Sequence, residues 1–273
     1  MNLEDYQLIG RGNTAEIYHI GNKKVLKLFH AGFNKEAVKI EYQNSKLVQD
    51  NLDCVPRVYE MVEVEGRDGI IYEELCGKDM LQMMLRAPLR ISKKSKEFAQ
   101  YHYSIHKKVN EPLITVKEKL NYDIAGSEIL TEETKTILKQ YINTLPDGDC
   151  LCHFDFHPGN VMIVDGKAVF LDWMTGCKGD ICADVARTSL LLKYGQIEHA
   201  PILVQKLLSL GKRSIRKNYC KEYMALAGIT AEDISKWEVP IAAARLQECI
   251  PDKERMILLD FINQSIDRCK AAI

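Results

Sequence analysis

The sequence predicts an α+β chain: a small N-terminal antiparallel β-sheet lobe carrying one helix, then a larger, mainly helical C-terminal lobe. Three observations lead there. Short β-type runs separated by turn signals fill the stretch up to Glu74. After Cys76-Gly77 the pattern becomes helical, and one strong hairpin signal, Asp165-Gly166, interrupts it. The chain has 273 residues, 46% of them hydrophobic, enough to bury a core without disulfides or structural metals.

Tyr6-Gln7-Leu8-Ile9 is the first β-type run, and Ala15–Ile20 roughly alternates. Gly21-Asn22 reads as a two-residue hairpin turn into Lys24–Phe29. A helix is expected over 34–50, with Ala37, Ile40, Leu47 and Val48 as its apolar positions. Pro56 ends that region, and Val58–Val64 and Gly69–Glu74 form a second hairpin across Glu65-Gly66-Arg67-Asp68. Gly77 marks the expected boundary, giving lobes 1–77 and 78–273.

In the second part, Phe98, Tyr101, Ile105 and Val109 share a helical face. Thr131 is a good N-cap, with Glu132 and Glu133 favourably placed in the first turn. From residue 182 the chain is helix-compatible, broken at Gly195, Pro201, Gly228 and Pro251. Between these, Val161–Val164 and Lys167–Leu171 flank Asp165-Gly166. A two-residue turn pairs Val164 with Lys167 and brings Asn160 and Asp172 to one end of the ribbon. Strict pleating would point them to opposite faces, so both can hold one ion only if a bulge or release at the strand ends intervenes.

Composition excludes several classes. There are 37 basic and 38 acidic residues, net −1, which argues against nucleic-acid binding and against a basic membrane-surface protein. No apolar run reaches the roughly 18 residues of a membrane span. Nine cysteines, an odd number with no Cys-x-x-Cys pair, read as free thiols in a reducing compartment, so the expected location is cytoplasmic. Residues 1–77 hold 9 basic and 13 acidic residues, net −4, leaving the remainder at +3. Oligomeric state is not legible.

The chemistry concentrates in Cys152-His153-Phe154-Asp155-Phe156-His157-Pro158-Gly159-Asn160 and in Leu171-Asp172-Trp173. Asp155, Asn160 and Asp172 bear hard oxygens suited to Mg²⁺, which completes its shell with water and substrate phosphates. Taken singly, each also fits a turn or cap role. Gly10-Arg11-Gly12-Asn13-Thr14-Ala15 lies between two expected strands, and its glycines allow close backbone approach to a phosphate. It does not open a helix, as a dinucleotide-binding loop does, and no Gly-Lys-Ser/Thr is present. Lys27, flanked by apolar residues in the next strand, is either an edge charge or a phosphate ligand needing a carboxylate partner. Glu41 is the candidate partner and Glu36 its rival. His102 and His106 stand four apart on a helix, a metal-compatible spacing more economically read as a core or solvated face. Trp237 reads as core.

The ordered set resembles the aminoglycoside phosphotransferase/choline kinase superfamily, of protein-kinase-like fold. His153-x-Asp155-x-His157-Pro158-Gly159-Asn160 resembles its catalytic loop, Leu171-Asp172-Trp173 its second metal motif, and Gly179-Asp180 through Asp184-Val185-Ala186-Arg187 the segment that follows. The resemblance implies a bilobal fold and transfer of the γ-phosphoryl group of ATP to a hydroxyl of a small acceptor, a metabolite or an antibiotic. It implies Asp155 as the catalytic aspartate, Asn160 and Asp172 as Mg²⁺ ligands, and Lys27 on the α/β-phosphates with Glu41 behind it. Gly10, Gly12 and Ala15 match the glycine loop. Tyr72-Glu73-Glu74-Leu75 matches the hinge, where backbone groups of Glu73 and Leu75 would meet the adenine edge; such recognition leaves ATP and GTP both open. Ala15 replaces a third glycine, Trp173-Met174 replaces Phe-Gly, and no Ala-Pro-Glu is present. These departures count against a protein kinase. A silent, nucleotide-binding pseudokinase is the alternative, and the complete set of key side chains counts against it. Residues 230–273 carry eight acids and six bases, not the strongly acidic wall a polycationic acceptor would want.

Overall fold

The computed structural model describes residues 3–195 and 202–273, apart from the side chains of 202–210. In chain order the strands and helix of the first part are β1 Gln7–Arg11, β2 Ala15–His19, β3 Lys24–Phe29, α1 Lys35–Asn51, β4 Val58–Val64, β5 Arg67–Glu73 and β6 Lys78–Asp79. There follow α2 Met80–Arg86, α3 Ile91–Ile105, α4 Val116–Gly126, α5 Glu132–Thr144, β7 Cys150–Cys152, β8 Val161–Val164, β9 Lys167–Phe170 and β10 Cys177–Gly179. The remaining helices are α6 Ile181–Tyr194, α7 Ile202–Ala227, α8 Ala231–Arg245 and α9 Asp252–Ala271.

The chain forms two compact units. The first comprises residues 1–83 and 158–176, the second 84–157 and 177–273. In the first, β1 to β5 make one antiparallel sheet in the order β1-β2-β3-β5-β4. Alternation along β3 explains its two faces. Leu26 and Leu28 pack with Val64 and Ile71 on one side, while Phe29 packs with Ala15, Val38, Val58 and Ile70 on the other. Val38 belongs to α1, so that helix covers the face on which Lys27 also projects.

Two turns differ from expectation. The β2–β3 connection is longer than a two-residue turn: Gly21, Asn22 and Lys23 are all left-handed (φ 80°, 53° and 56°), and the Lys24 N–H donates to the Gly21 carbonyl at 2.9 Å. The β4–β5 turn is tighter, with Val64 paired to Arg67 across Glu65-Gly66. Helix α1 is capped by Asn34, whose side chain accepts from the Glu36 and Ala37 N–H groups. Its buried face is Val38, Glu41, Asn44, Ser45 and Val48, and Ile40 is exposed. Of the apolar positions expected there only Val48 lies on this face, because three of its five residues are polar.

A small sheet, β6-β8-β9, completes the first unit. Asp165 (φ 48°) and Gly166 (φ 79°) form its left-handed two-residue turn, and Val164 pairs with Lys167 as expected. Gly77 enters β6 against β8 so closely that a Cβ would lie 2.4 Å from the Ile163 carbonyl oxygen, which explains a glycine there.

In the second unit α3 packs along α7, and α6 packs against α7 and α8. Phe98, His102, Phe156 and Tyr219 stack at its centre. Helix α3 ends at Ile105, so Val109 is not on its face; Val109 is buried in the segment that follows, and its own N–H donates to the Asp149 carbonyl at 2.9 Å. Thr131 caps α5 as expected, accepting from the Thr134 N–H. Helices end at Tyr194 before Gly195 and at Ala227 before Gly228, and α9 starts after Pro251. The break expected at Pro201 lies outside the described residues. Strands β7 and β10 form an antiparallel ribbon with Cys152 opposite Cys177. Among the described residues, no helix is long and apolar enough to cross a membrane.

Candidate active site

The first unit gathers Lys27, Glu41 and Asp172. Lys27 Nζ donates to Glu41 Oε1 at 2.6 Å and to Asp172 Oδ1 at 3.2 Å. Glu36 is not the partner: it sits in the first turn of α1 and bonds Lys39 at 3.0 Å. Burial works against the charge on Lys27, but the two carboxylates outweigh it and hold its pKa above the ordinary lysine value. Glu41 is 1% exposed. Burial raises its pKa, and Lys27 pulls the other way. Tyr72 adds a hydrogen bond to Glu41 Oε1 at 3.0 Å, and Ser45 Oγ lies 3.0 Å from the Tyr72 hydroxyl. So the carboxylate is held from β3 and from β5 at once.

Register explains how the glycine positions relate to Lys27. Gly10 is opposite Ile17, and Ile17 is opposite Lys27, so the three form one row across β1, β2 and β3. Two strand spacings of about 4.8 Å separate Gly10 from Lys27 in that row. The Gly12 N–H donates to the Ala15 carbonyl at 2.8 Å, closing the turn, and Ala15 is buried at the start of β2. At the end of β5 the Glu73 N–H donates to the Arg57 carbonyl and the Glu74 N–H to the Lys23 carbonyl, both within 2.9 Å. Leu75 follows immediately, outside any strand.

Asn160 and Asp172 sit at the open end of the β8–β9 ribbon. The Leu171 N–H donates to the Asn160 carbonyl at 2.9 Å, extending the ladder by one step. Both strands release there. Asn160 closes a 3₁₀ turn, Pro158–Asn160, and Asp172 is left-handed with φ 64°. Pleat alternation therefore does not govern where their side chains point, which is the departure that holding one ion requires. One carboxylate and one amide oxygen form a hard donor set that fits Mg²⁺.

Asp155 lies in the second unit, on a loop fastened by α6. Three residues at i, i+3 and i+4 of that helix reach the loop backbone. Asp184 accepts the His153 N–H at 2.6 Å and the Phe154 N–H at 2.9 Å. Arg187 Nε donates to the Phe154 carbonyl at 3.1 Å, and Thr188 Oγ1 to the Phe156 carbonyl at 3.0 Å. This offsets the strain of Phe154, whose φ of 61° costs a non-glycine residue about 1–2 kcal/mol. Asp155 is partly exposed; Arg187 approaches its carboxylate at 3.9 Å, and His157 at 3.7 Å. Arg187 is paired more closely with Glu248, at 2.8 Å.

Behind Asp184 stand His102 and His106, whose Nε2 atoms lie 3.2 and 3.1 Å from its Oδ2. Their Nδ1 atoms face the hydroxyls of Tyr219 and Tyr223. Burial opposes ionisation of Asp184, yet the two imidazoles outweigh it and hold its pKa well below the usual range. Burial pushes His102 down to about 4. The pair lies in the core, one of the two readings its position allowed. Asn44, Glu248 and the two tyrosines were not singled out by the sequence, and Tyr72 entered only as part of the hinge segment, not as a partner of Glu41. Only Asn44 left a signal: Glu41, Asn44, Ser45 and Val48 follow helical spacing on one face.

Residues 112–209 match the model of the phosphotransferase enzyme family. No protein of curated function matches the sequence. Among solved structures, the choline kinase LicA from Streptococcus pneumoniae aligns at 16% identity and a TM-score of 0.60, over 96% of this chain and 92% of that one. A putative fructosamine-3-kinase from Haemophilus somnus aligns at 13% identity and 0.58, over 97% and 90%. APH(2'')-IIa, solved as a ternary complex with streptomycin and ATP, aligns at 14% and 0.58, over 96% and 92%. These likenesses give the chain the protein-kinase-like fold, and with the family match they uphold its resemblance to the aminoglycoside phosphotransferase/choline kinase superfamily.

Proposed function

We propose that the chain is a small-molecule kinase that moves the γ-phosphoryl group of ATP to a hydroxyl of a small acceptor. The observation that carries this reading is the buried ammonium of Lys27 between Glu41 and Asp172. A strand lysine held by a helix glutamate and set beside a metal-type aspartate is an arrangement suited to nucleotide phosphates. Phosphoryl transfer needs little covalent help, so positioning and charge stabilisation supply most of the catalysis.

The residue roles follow from that chemistry. Lys27 binds the α- and β-phosphates, with Glu41 fixing its position. Gly10, Gly12 and Ala15 let the β1–β2 turn approach the phosphates, and the backbone of Glu73 and Leu75 takes the adenine edge. Asn160 and Asp172 hold Mg²⁺, which when bound neutralises charge on the phosphate oxygens. Asp155 orients the acceptor hydroxyl and accepts its proton as oxygen attacks the γ-phosphorus and ADP leaves. The acceptor is an amino alcohol, a sugar, an aminoglycoside or another small hydroxylated metabolite. Nine free thiols and the use of ATP favour the cytoplasm.

The test is ADP release and acceptor phosphorylation with Mg-ATP, across hydroxylated amines, sugars and aminoglycosides. Asp155→Asn should lower acceptor-dependent turnover by about 10²–10⁴-fold, the range for general-base assistance, with nucleotide affinity kept. Nucleotide binding without turnover on any acceptor would turn the reading to a pseudokinase. Transfer to a folded protein alone would turn it to a protein kinase.

A further inference from the structure

One turn beyond Glu41, helix α1 carries a second buried polar side chain that the proposed chemistry does not use. Asn44 is 7% exposed. Its amide Nδ2 donates to the Trp173 carbonyl at 3.1 Å, the Gly176 carbonyl at 3.1 Å and the Met174 carbonyl at 3.4 Å. An amide nitrogen has only two hydrogens, so three carbonyls converge on one donor group. They belong to the turn directly after Asp172. That turn is closed by the Gly176 N–H donating to the Trp173 carbonyl at 3.0 Å. Upstream it is tied by the Trp173 indole N–H donating to the Phe170 carbonyl at 3.2 Å. A Cβ on Gly176 would fall 3.1 Å from the Trp173 oxygen and 3.5 Å from Asn44 Nδ2. The turn is wrapped around the amide with no room to spare.

We propose that Asn44 is a positioning residue that sets Asp172 for the metal by holding residues 173–176 to helix α1. The inference rests on the kinase reading above. Glu41 and Asn44 occupy one helix face. The counter-ion of Lys27 and the anchor of the Asp172 turn therefore move as one body. In regulated protein kinases the lysine–glutamate pair and the metal aspartate must both be in place, and activation controls them. Here a buried amide couples the two permanently, and the short stretch from Asp172 to β10 serves in place of a switchable segment. Asp172 is left-handed (φ 64°), a conformation that such an anchor holds in place.

A purely structural role predicts something else: loss of the amide would lower stability, and affinity would fall equally with and without metal. The test uses the full chain and two variants, Asn44→Leu, which keeps bulk but donates nothing, and Gly176→Ala, which crowds the same turn. Dissociation constants for a fluorescent ATP analogue are measured with Mg²⁺ and with EDTA. Both tryptophans, Trp173 and Trp237, are labelled as 5-fluorotryptophan and followed by ¹⁹F NMR. The metal-dependent gain in affinity should fall about 10–100-fold, as for other groups that orient metal ligands, while affinity in EDTA changes little. The Trp173 resonance should shift and broaden, and that of Trp237, in the second unit, should stay. A retained metal gain in both variants, or equal losses with and without metal, would overturn the inference alone. Absence of nucleotide binding in the unaltered chain would overturn the kinase reading and this inference with it. Should Asn44→Leu fail to fold, Gly176→Ala decides between the same outcomes.

Discussion

Lys27 and Asp172, 145 positions apart in the chain, meet at 3.2 Å, and the same ammonium lies 2.6 Å from Glu41. The three side chains are exposed to very different degrees: Lys27 at 12%, Glu41 at 1% and Asp172 at 40%. Glu41 therefore depends on Lys27 far more than Asp172 does. Removing one partner of a buried pair leaves an uncompensated charge, which costs about 3–5 kcal/mol. Lys27→Met should destabilise the fold by an amount of that order in urea unfolding. The double variant Lys27→Met/Glu41→Leu should recover most of the loss. Equal destabilisation in single and double variants would show that Glu41 is not held as a carboxylate.

Asp184 anchors the Asp155 loop through two backbone N–H groups. Hydrogen bonds to a charged group contribute about 1.5–3 kcal/mol each. In Asp184→Asn one acceptor oxygen becomes an NH₂ donor facing a donor. We expect a loss of stability of at least about 2 kcal/mol in chemical denaturation and faster hydrogen exchange at the His153 and Phe154 amides. Unchanged protection at those two amides would show that the loop is held by other contacts.

Much of this fold could be read from the sequence because its signals are local. Asp165-Gly166 specifies a left-handed two-residue turn by chemistry alone, and its register then fixes where Asn160 and Asp172 stand. β-type runs bounded by turn signals placed β2, β3 and β4 almost residue for residue. What the sequence hid was set by distant partners. Three of the five buried residues of α1 are polar, and one of them, Asn44, answers carbonyls 129 to 132 positions away. Apolar periodicity has no means of finding it. The grouping of 158–176 with the first unit is likewise a matter of contacts, invisible to chain order. Val109 was misplaced for a related reason: helical spacing continued past a helix that ends at Ile105.

The β8–β9 turn offers a clean test of how firmly that ribbon is built. Gly166 has φ 79°, and no atom lies within 4 Å of where a Cβ would be. Gly166→Ala therefore meets no clash, and its cost is backbone strain alone, about 1–2 kcal/mol. Asp165→Asn keeps a residue that tolerates the left-handed region and should be nearly neutral. Thermal unfolding checks both. A Gly166→Ala protein as stable as the parent would mean that the turn relaxes, and then the Mg²⁺ dependence of nucleotide binding should weaken as the Asn160–Asp172 end loses its register.

His102 should make the protein acid-sensitive. Its folded pKa is pushed down to about 4 by burial, against the pull of Asp184, with His106 and His153 also facing it. An unfolded histidine titrates near 6.5. Between those values the unfolded chain binds a proton that the native chain refuses, so stability rises with pH across the window and is lost as pH falls through it. The full span corresponds to an order of 3 kcal/mol, at about 1.4 kcal/mol per pKa unit. Asp184 acts in a lower window: its depressed pKa contributes stability above the ordinary aspartate range, lost only on further acidification. Urea unfolding at a series of pH values from about 7 to 4 should show the decline, and His102→Gln should flatten it while lowering stability near pH 7. A parent protein with pH-independent stability between those limits would show that burial does not depress His102 in the fold.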